Sequence, residues 1–166
     1  MIGFYGGEPL LNFSLIRNIV EYCETMKHKI HFGYTITINA VILDKYADYL
    51  VKNNFLIVIS LDGNERNHSY RIDRDGINSF NSVISNVDLL RNKYPDYFDK
   101  NVTFNAVLHD RNMVEEINNY IFQRYGKNPS INELVETGIR NDKKNILRKS
   151  LKVSKIIYAI GKMLTR

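Results

Sequence analysis

The residues best suited to chemistry lie near the start of the chain. Gly6-Gly7-Glu8-Pro9 directly follows the apolar run at residues 2–5. Adjacent glycines let a backbone take dihedrals closed to other residues and approach a ligand closely. Glu8 offers a carboxylate to a cation, and Pro9 fixes the turn while donating no backbone hydrogen bond. Together they describe a rigid backbone cradle with one negative group, suited to an ammonium or an α-amino acid. A plain β-to-α turn with a surface acid would use the same residues, and the tetrapeptide alone does not separate the two readings.

Apolar periodicity supplies the elements that must position this turn. Strands are expected over residues 2–5, 30–38, 55–61, 102–108 and, more weakly, 130–135. Helices are expected over 12–27, 44–53, 79–93, 113–125 and 142–164, the last broken near Gly161. Asn12 suits an N-cap, with Leu15, Ile16, Ile19, Val20 and Cys23 on one helical face. The run at 55–61 reads as a strand buried on both faces. The third helix must stop before Pro95. Strict β/α alternation predicts an α/β fold of parallel strands joined by right-handed crossover helices. Such layers place ligands at the C-terminal ends of the strands. Gly6, Gly7 and Glu8, then Asn39, then Ser60 and Asp62, then His109 and Asp110, all fall just past or at a strand end, on one rim.

Bulk properties set the frame. A chain of 166 residues with 44% hydrophobic and 25% charged residues fits one soluble globular domain with a core. No stretch approaches the ~18 consecutive apolar residues of a membrane span, and no charged-then-apolar leader opens the sequence. One cysteine, Cys23, excludes an intramolecular disulfide and any metal site built from several cysteines of this chain. It fits a reducing, cytoplasmic setting. The net charge of +5 is a local property. Eight of the 23 basic residues and no acid lie in residues 143–166, which leaves 15 basic against 18 acidic residues before them. No nucleic-acid partner is expected from so mildly acidic a body.

Three segments then fall into a recognisable order: Phe4-Tyr5-Gly6-Gly7-Glu8-Pro9-Leu10-Leu11, Asn39-Ala40-Val41-Ile42-Leu43-Asp44, and Ile59-Ser60-Leu61-Asp62-Gly63 followed by Asn67-His68-Ser69-Tyr70-Arg71 and Phe80. Over roughly residues 2–125 the chain resembles the radical SAM superfamily, in the peptide- and protein-modifying branch that includes anaerobic sulfatase-maturating enzymes. The resemblance implies an incomplete (β/α)6 partial barrel, placed over residues 1–140, while the interleaved basic and apolar residues of 141–166 read by themselves as a basic amphipathic C-terminal helix. The resemblance also implies S-adenosylmethionine as cofactor, a peptide or protein substrate, and a 4Fe-4S cluster that cleaves the cofactor to a deoxyadenosyl radical for hydrogen abstraction. Carried onto this sequence, Gly6, Gly7, Glu8 and Pro9 would hold the methionyl ammonium. Ser60 would sit near the ribose or carboxylate. Arg71 would offer a guanidinium fork to the carboxylate, and Asn39 takes the place of the asparagine in a Thr-Asn-Gly turn.

The sequence departs from that pattern in three places. Ile38 and Ala40 replace the threonine and glycine of the turn. The cluster motif Cys-x3-Cys-x2-Cys, one strand before the glycine turn in the family, is not in this sequence, so the chain alone is expected to be inactive. Residues 2–5 would then form an exposed sheet edge, prone to self-pairing.

Each candidate has a plainer alternative. Cys23 reads as a core residue. Asp62 with Gly63 could simply turn the chain, and Arg71 could join a solvated ion pair in a charged loop. His109-Asp110 reads as a loop pair rather than an acid–base pair, and His28, His31 and His68 show no metal spacing. The basic tail could lie on an anionic membrane surface or dock a partner; packing over the sheet is the favoured reading. A non-catalytic module binding a peptide, partner or membrane surface remains the second reading of the whole chain.

Overall fold

The computed structural model describes residues 1–133. The basic tail at 141–166 lies outside the described residues. The chain divides into two compact units: residues 1–60 with 81–103, and residues 61–80 with those from 104 onward.

In the first unit the strands are β1 (Ile2–Phe4), β2 (Tyr34–Ile38) and β3 (Leu56–Ser60). They run parallel, with Phe4 beside Ile36 and Ile38 beside Ile59. Parallel neighbours need crossovers, which α1 (Phe13–Thr25) and α2 (Ala47–Lys52) provide. The core lies on one side of this sheet, where Ile36, Ile38, Ile57 and Ile59 are each at most 1% exposed. Each such side chain contributes about 1.5–3 kcal/mol by leaving water. Helix α1 covers them with Ile16, Val20 and Cys23, spaced by one helical turn. Helix α3 (Phe80–Lys93) adds Val83, Val87 and Leu90. Among the described residues β1 pairs with β2 and stands at the sheet edge.

The second unit carries β4 (Val102–Leu108), α5 (Val114–Tyr125) and β5 (Ser130–Glu133). β4 and β5 are parallel, with Asn105 beside Ser130 and Leu108 beside Glu133. Phe104, Ala106 and Leu108 face the core, where Ile117 and Ile121 of α5 are fully buried. Phe104 stacks on Tyr125 with centroids 4.9 Å apart. Gly126 ends α5 at φ 68, the left-handed cap that glycine favours.

The α/β class with parallel strands and crossover helices is as expected; several boundaries are not. β2 starts at Tyr34 rather than residue 30. The Met26 carbonyl accepts the N–H groups of Lys29 and Ile30, winding the chain into turns after α1, and Ile30 is 51% exposed. The strand begins only where side chains become buried. β3 is not buried on both faces: Ile57 and Ile59 are covered, while Leu56 is 39% exposed. Leu15 points to solvent at 51% exposure, leaving a narrower inner stripe on α1 than its apolar residues suggest. Pro95 stops α3 as predicted but also opens α4 (Pro95–Asn101), a helix the periodicity missed. Proline is preorganised for a first helical position, where its missing N–H costs nothing.

Candidate functional site

In the first unit the site is built around one carboxylate. Glu8 caps the short 3-10 turn Pro9–Asn12, its Oε1 accepting the Leu10 N–H at 3.1 Å. Its Oε2 accepts the Asn39 N–H at 2.6 Å. The turn after β1 and the turn after β2 are thereby tied through one side chain. Each carboxylate oxygen keeps a second lone pair, so Glu8 can still receive a cation. Burial pushes its carboxyl above the usual carboxylate range, while the Asn39 and Leu10 N–H groups pull it down by less. A bound cation would favour the charged form.

The two glycines supply shape. Gly6 has φ 105 and Gly7 φ 48, and no atom lies within 4 Å of a Cβ built on either. Their requirement is therefore conformational, and the backbone stands open to a ligand. Glu8 lines a surface groove of about 360 Å³ together with Phe4, Gly6, Leu11 and Leu15.

Asn39 turns the chain after β2. Its Oδ1 accepts the Val41 N–H at 3.0 Å, and its own N–H goes to Glu8. Ala40, next in line, has φ 61 with its methyl fully buried. The glycine of the Thr-Asn-Gly pattern is thus replaced at a position whose backbone keeps the conformation glycine favours. Asn86 of α3 secures it, donating from Nδ2 to the carbonyls of Ala40 and Val41 at 2.9 Å each. Nothing in residue spacing flagged Asn86. Ser60 is the last residue of β3 and is half-buried.

The second unit holds Arg71. Its Nε and Nη2 donate to the Asp62 carboxylate at 2.6 and 2.9 Å. The Asp62 side chain is 3% exposed and that of Arg71 27%. Asp62 is thus neither a simple turn residue nor one end of a solvated pair. The Val107 N–H also donates to its Oδ1 at 2.8 Å. His68 completes a ring of bonds: its Nδ1 faces the Asp62 N–H at 3.4 Å and its Nε2 faces Ser79 Oγ at 3.2 Å. Ser79 Oγ then donates to the Arg71 carbonyl at 2.8 Å. This pattern requires a neutral imidazole with its proton on Nε2. Burial, outweighing the nearby Asp62 charge, holds the His68 pKa down to about 4.

His109 and Asp110 diverge. His109 is buried with Nδ1 accepting the Arg111 N–H, and Asp110 accepts the Tyr70 hydroxyl at the surface. They form no acid–base couple. Asn112, unnoticed in the sequence, accepts the His109 N–H and donates to the Val107 carbonyl.

The implied cofactors fare differently. The open glycine backbone beside a carboxylate with spare lone pairs fits the amino-acid end of S-adenosylmethionine. The iron–sulfur cluster is not matched by this chain's own residues. Three thiolates are needed to leave one iron open, and Cys23 is buried in the α1 face. Among the described residues no group of three or more His, Cys, Asp or Glu could hold a metal.

No protein-family model matches the sequence. Individual proteins do. The chain is 30% identical over 136 residues to a radical SAM cyclopropyl synthase, TigE, of Paramaledivibacter caminithermalis, covering 80% of this chain and 26% of that protein. It is 34% identical over 95 residues to a cysteine-type anaerobic sulfatase-maturating enzyme of Clostridium novyi, covering 55% of this chain and 25% of that protein. The fold is similar to that of native anSMEcpe solved with AdoMet and a peptide bound, with a TM-score of 0.71, 21% identity, and coverage of 84% of this chain and 40% of that one. The chain thus spans about a quarter of the length of the curated relatives it matches. Its architecture is that of a partial radical SAM barrel. The chain is thus a homologue, over part of their length, of radical SAM enzymes.

Proposed function

We propose that this chain supplies the part of a radical SAM peptide- or protein-modifying enzyme that recognises the amino-acid portion of S-adenosylmethionine. The observation that carries this reading is the Glu8 carboxylate, braced by the Asn39 and Leu10 N–H groups beside the positive-φ glycines Gly6 and Gly7. Glu8 receives the methionyl ammonium through the lone pairs its backbone donors leave free. Gly6 and Gly7 let the main chain come close, and Pro9 and Asn39 hold the two turns in place. Ser60 hydrogen-bonds the ribose or carboxylate from the end of β3. S-adenosylmethionine supplies, when bound and reduced in such enzymes, the radical that removes a substrate hydrogen.

A peptide or protein substrate is supported by the sulfatase-maturating relative and by the peptide bound in the anSMEcpe structure. A cytoplasmic setting is supported by the use of one cysteine in 166 residues. With Cys23 buried and no partner thiols, the chain by itself neither builds a cluster nor cleaves the cofactor. The test is calorimetry with S-adenosylmethionine, followed by anaerobic incubation with iron, sulfide and reductant. The expected outcome is one-to-one binding, lost in Glu8→Ala, with no deoxyadenosine formed. Absence of binding would overturn the cofactor assignment, and stoichiometric cluster with deoxyadenosine would overturn the assignment of inactivity. Affinity for peptide without affinity for the cofactor would favour the non-catalytic binding module.

A further inference from the structure

We propose that residues 64–78 form an acid-released latch on the second unit, opening as one segment when His68 takes a proton from solvent on Nδ1. The latch involves only residues of the second unit and does not depend on which cofactor the chain takes.

The segment is held by polar bonds rather than by a core. Between residues 64 and 78 the buried residues are Asn67 and His68, at 1% and 0% exposure. Its apolar side chains face water: Ile72 and Ile77 are 56% and 64% exposed, and Tyr70 is 39% exposed. Burial of apolar surface therefore adds little to its closure. Asn67 Nδ2 donates to the Arg111 carbonyl at 3.1 Å and to Glu116 Oε2 at 2.9 Å. Nearer the surface, Tyr70 Oη donates to Asp110 and Arg111 Nη1 to Ser69 Oγ, links that water competes for. Segments built this way open locally while the rest of the fold stays closed.

His68 is the buried tie. Its Nδ1 accepts the Asp62 N–H, its Nε2 meets Ser79 Oγ, and the Arg71 carbonyl accepts both Ser79 Oγ and Ser79 N–H. The Arg71 N–H donates back to the His68 carbonyl at 2.9 Å. Only a neutral ring serves here, because a proton on Nδ1 sets N–H against N–H. Of the charged and titratable groups facing the ring, Arg71 and His109 oppose a proton and the Asp62 carboxylate attracts it. That carboxylate is already shared between the Arg71 guanidinium and the Val107 N–H. Phe80 stands edge-on to the imidazole, with centroids 6.0 Å apart, and offers no solvation. Burial therefore decides, and the closed ring has its pKa held down to about 4. Opening returns the ring to water, so acid favours the open segment.

Amide hydrogen exchange on the intact chain tests the latch. At pH 7 the Arg71 and Ser79 N–H groups should show lower protection factors than Ile121 and Tyr125 of α5. Between pH 7 and pH 4.5 the protection of Arg71 and Ser79 should fall about fiftyfold, as a shift from 6.5 to about 4 requires. His68→Gln keeps a donor toward Ser79 and takes no proton, so there the fall should be largely lost. Protection equal to that of α5 would show that the segment does not open by itself. A flat profile in the unmodified chain, or an undiminished fall in the variant, would overturn His68 as the trigger. Should His68→Gln not fold, nitrogen-15 spectra of the histidine-labelled, unmodified chain decide. At about pH 5.5 the folded chain should hold His68 neutral with its proton on Nε2, and a charged His68 there would overturn the proposal.

Discussion

Glu8 and Asn39, 31 residues apart, are joined by a 2.6 Å hydrogen bond from the Asn39 N–H to Glu8 Oε2. The bond makes Glu8 a brace between two strand-end turns as well as a negative group, so a substitution there touches both its structural and its chemical role.

Glu8→Gln should therefore destabilise the chain. A carboxamide has one acceptor oxygen, and its NH2 would face either the Leu10 or the Asn39 N–H, both of which the carboxylate now satisfies. The expected loss is about 1–3 kcal/mol, the cost of a buried donor left unpaired. Urea unfolding at pH 7 reads it. A stability equal to that of the parent would show that the brace is dispensable.

Gly6→Ala should cost about 1–3 kcal/mol through the backbone alone, since φ 105 is strained for an L-residue although the built Cβ meets nothing within 4 Å. Gly63→Ala should cost more. There φ is 110 and the Cβ would also lie 3.2 Å from Asn67 Cβ. Thermal unfolding of the two variants orders them, and a reversed order would contradict the account of what each glycine does.

Stability should fall as the solution is acidified, through His68. Its pKa drops from the ordinary 6.5 to about 4 in the folded chain. Between those values the unfolded chain takes up a proton that the folded chain refuses. Stability from this group is complete above pH 6.5 and declines toward pH 4, by about 3 kcal/mol in all. Burial lowers His109 in the same direction. Urea midpoints at pH 7 and pH 4.5 should differ, and His68→Gln should flatten the difference. An unchanged slope in the variant would rule out His68 as the source.

Asn86→Ala should cost about 1–2 kcal/mol and loosen the 39–41 turn, because Asn86 Nδ2 is what bonds the Ala40 and Val41 carbonyls. Amide exchange at Val41 and Leu43 should accelerate selectively. Uniform acceleration across β2 would point to general unfolding instead.

Much of this was legible in the residues. The β/α order, the stop before Pro95 and the buried position of Cys23 all follow from apolar spacing and proline geometry. The glycine turn announced itself because few roles demand two adjacent glycines before an acid. What stayed hidden depends on partners distant in sequence. Arg71 read as a free fork or a solvated ion, and neither reading contains a buried Asp62 beneath it. His68 showed no metal spacing, yet its role comes from Asp62 and Ser79, which only the folded loop brings to its two nitrogens. Asn86 looked like any polar residue on a helix. β2 was read too long because apolar residues near 30 suggest a strand, whereas the Met26 carbonyl draws that segment into turns.

The most direct test of the central claim is a calorimetric titration of the unmodified chain with S-adenosylmethionine and with an analogue lacking the methionyl amino group. One-to-one binding of S-adenosylmethionine is expected, with affinity about tenfold weaker for the analogue, because the Glu8 carboxylate would lose its charged partner. Equal affinity for the two ligands, or no binding of S-adenosylmethionine, would contradict it.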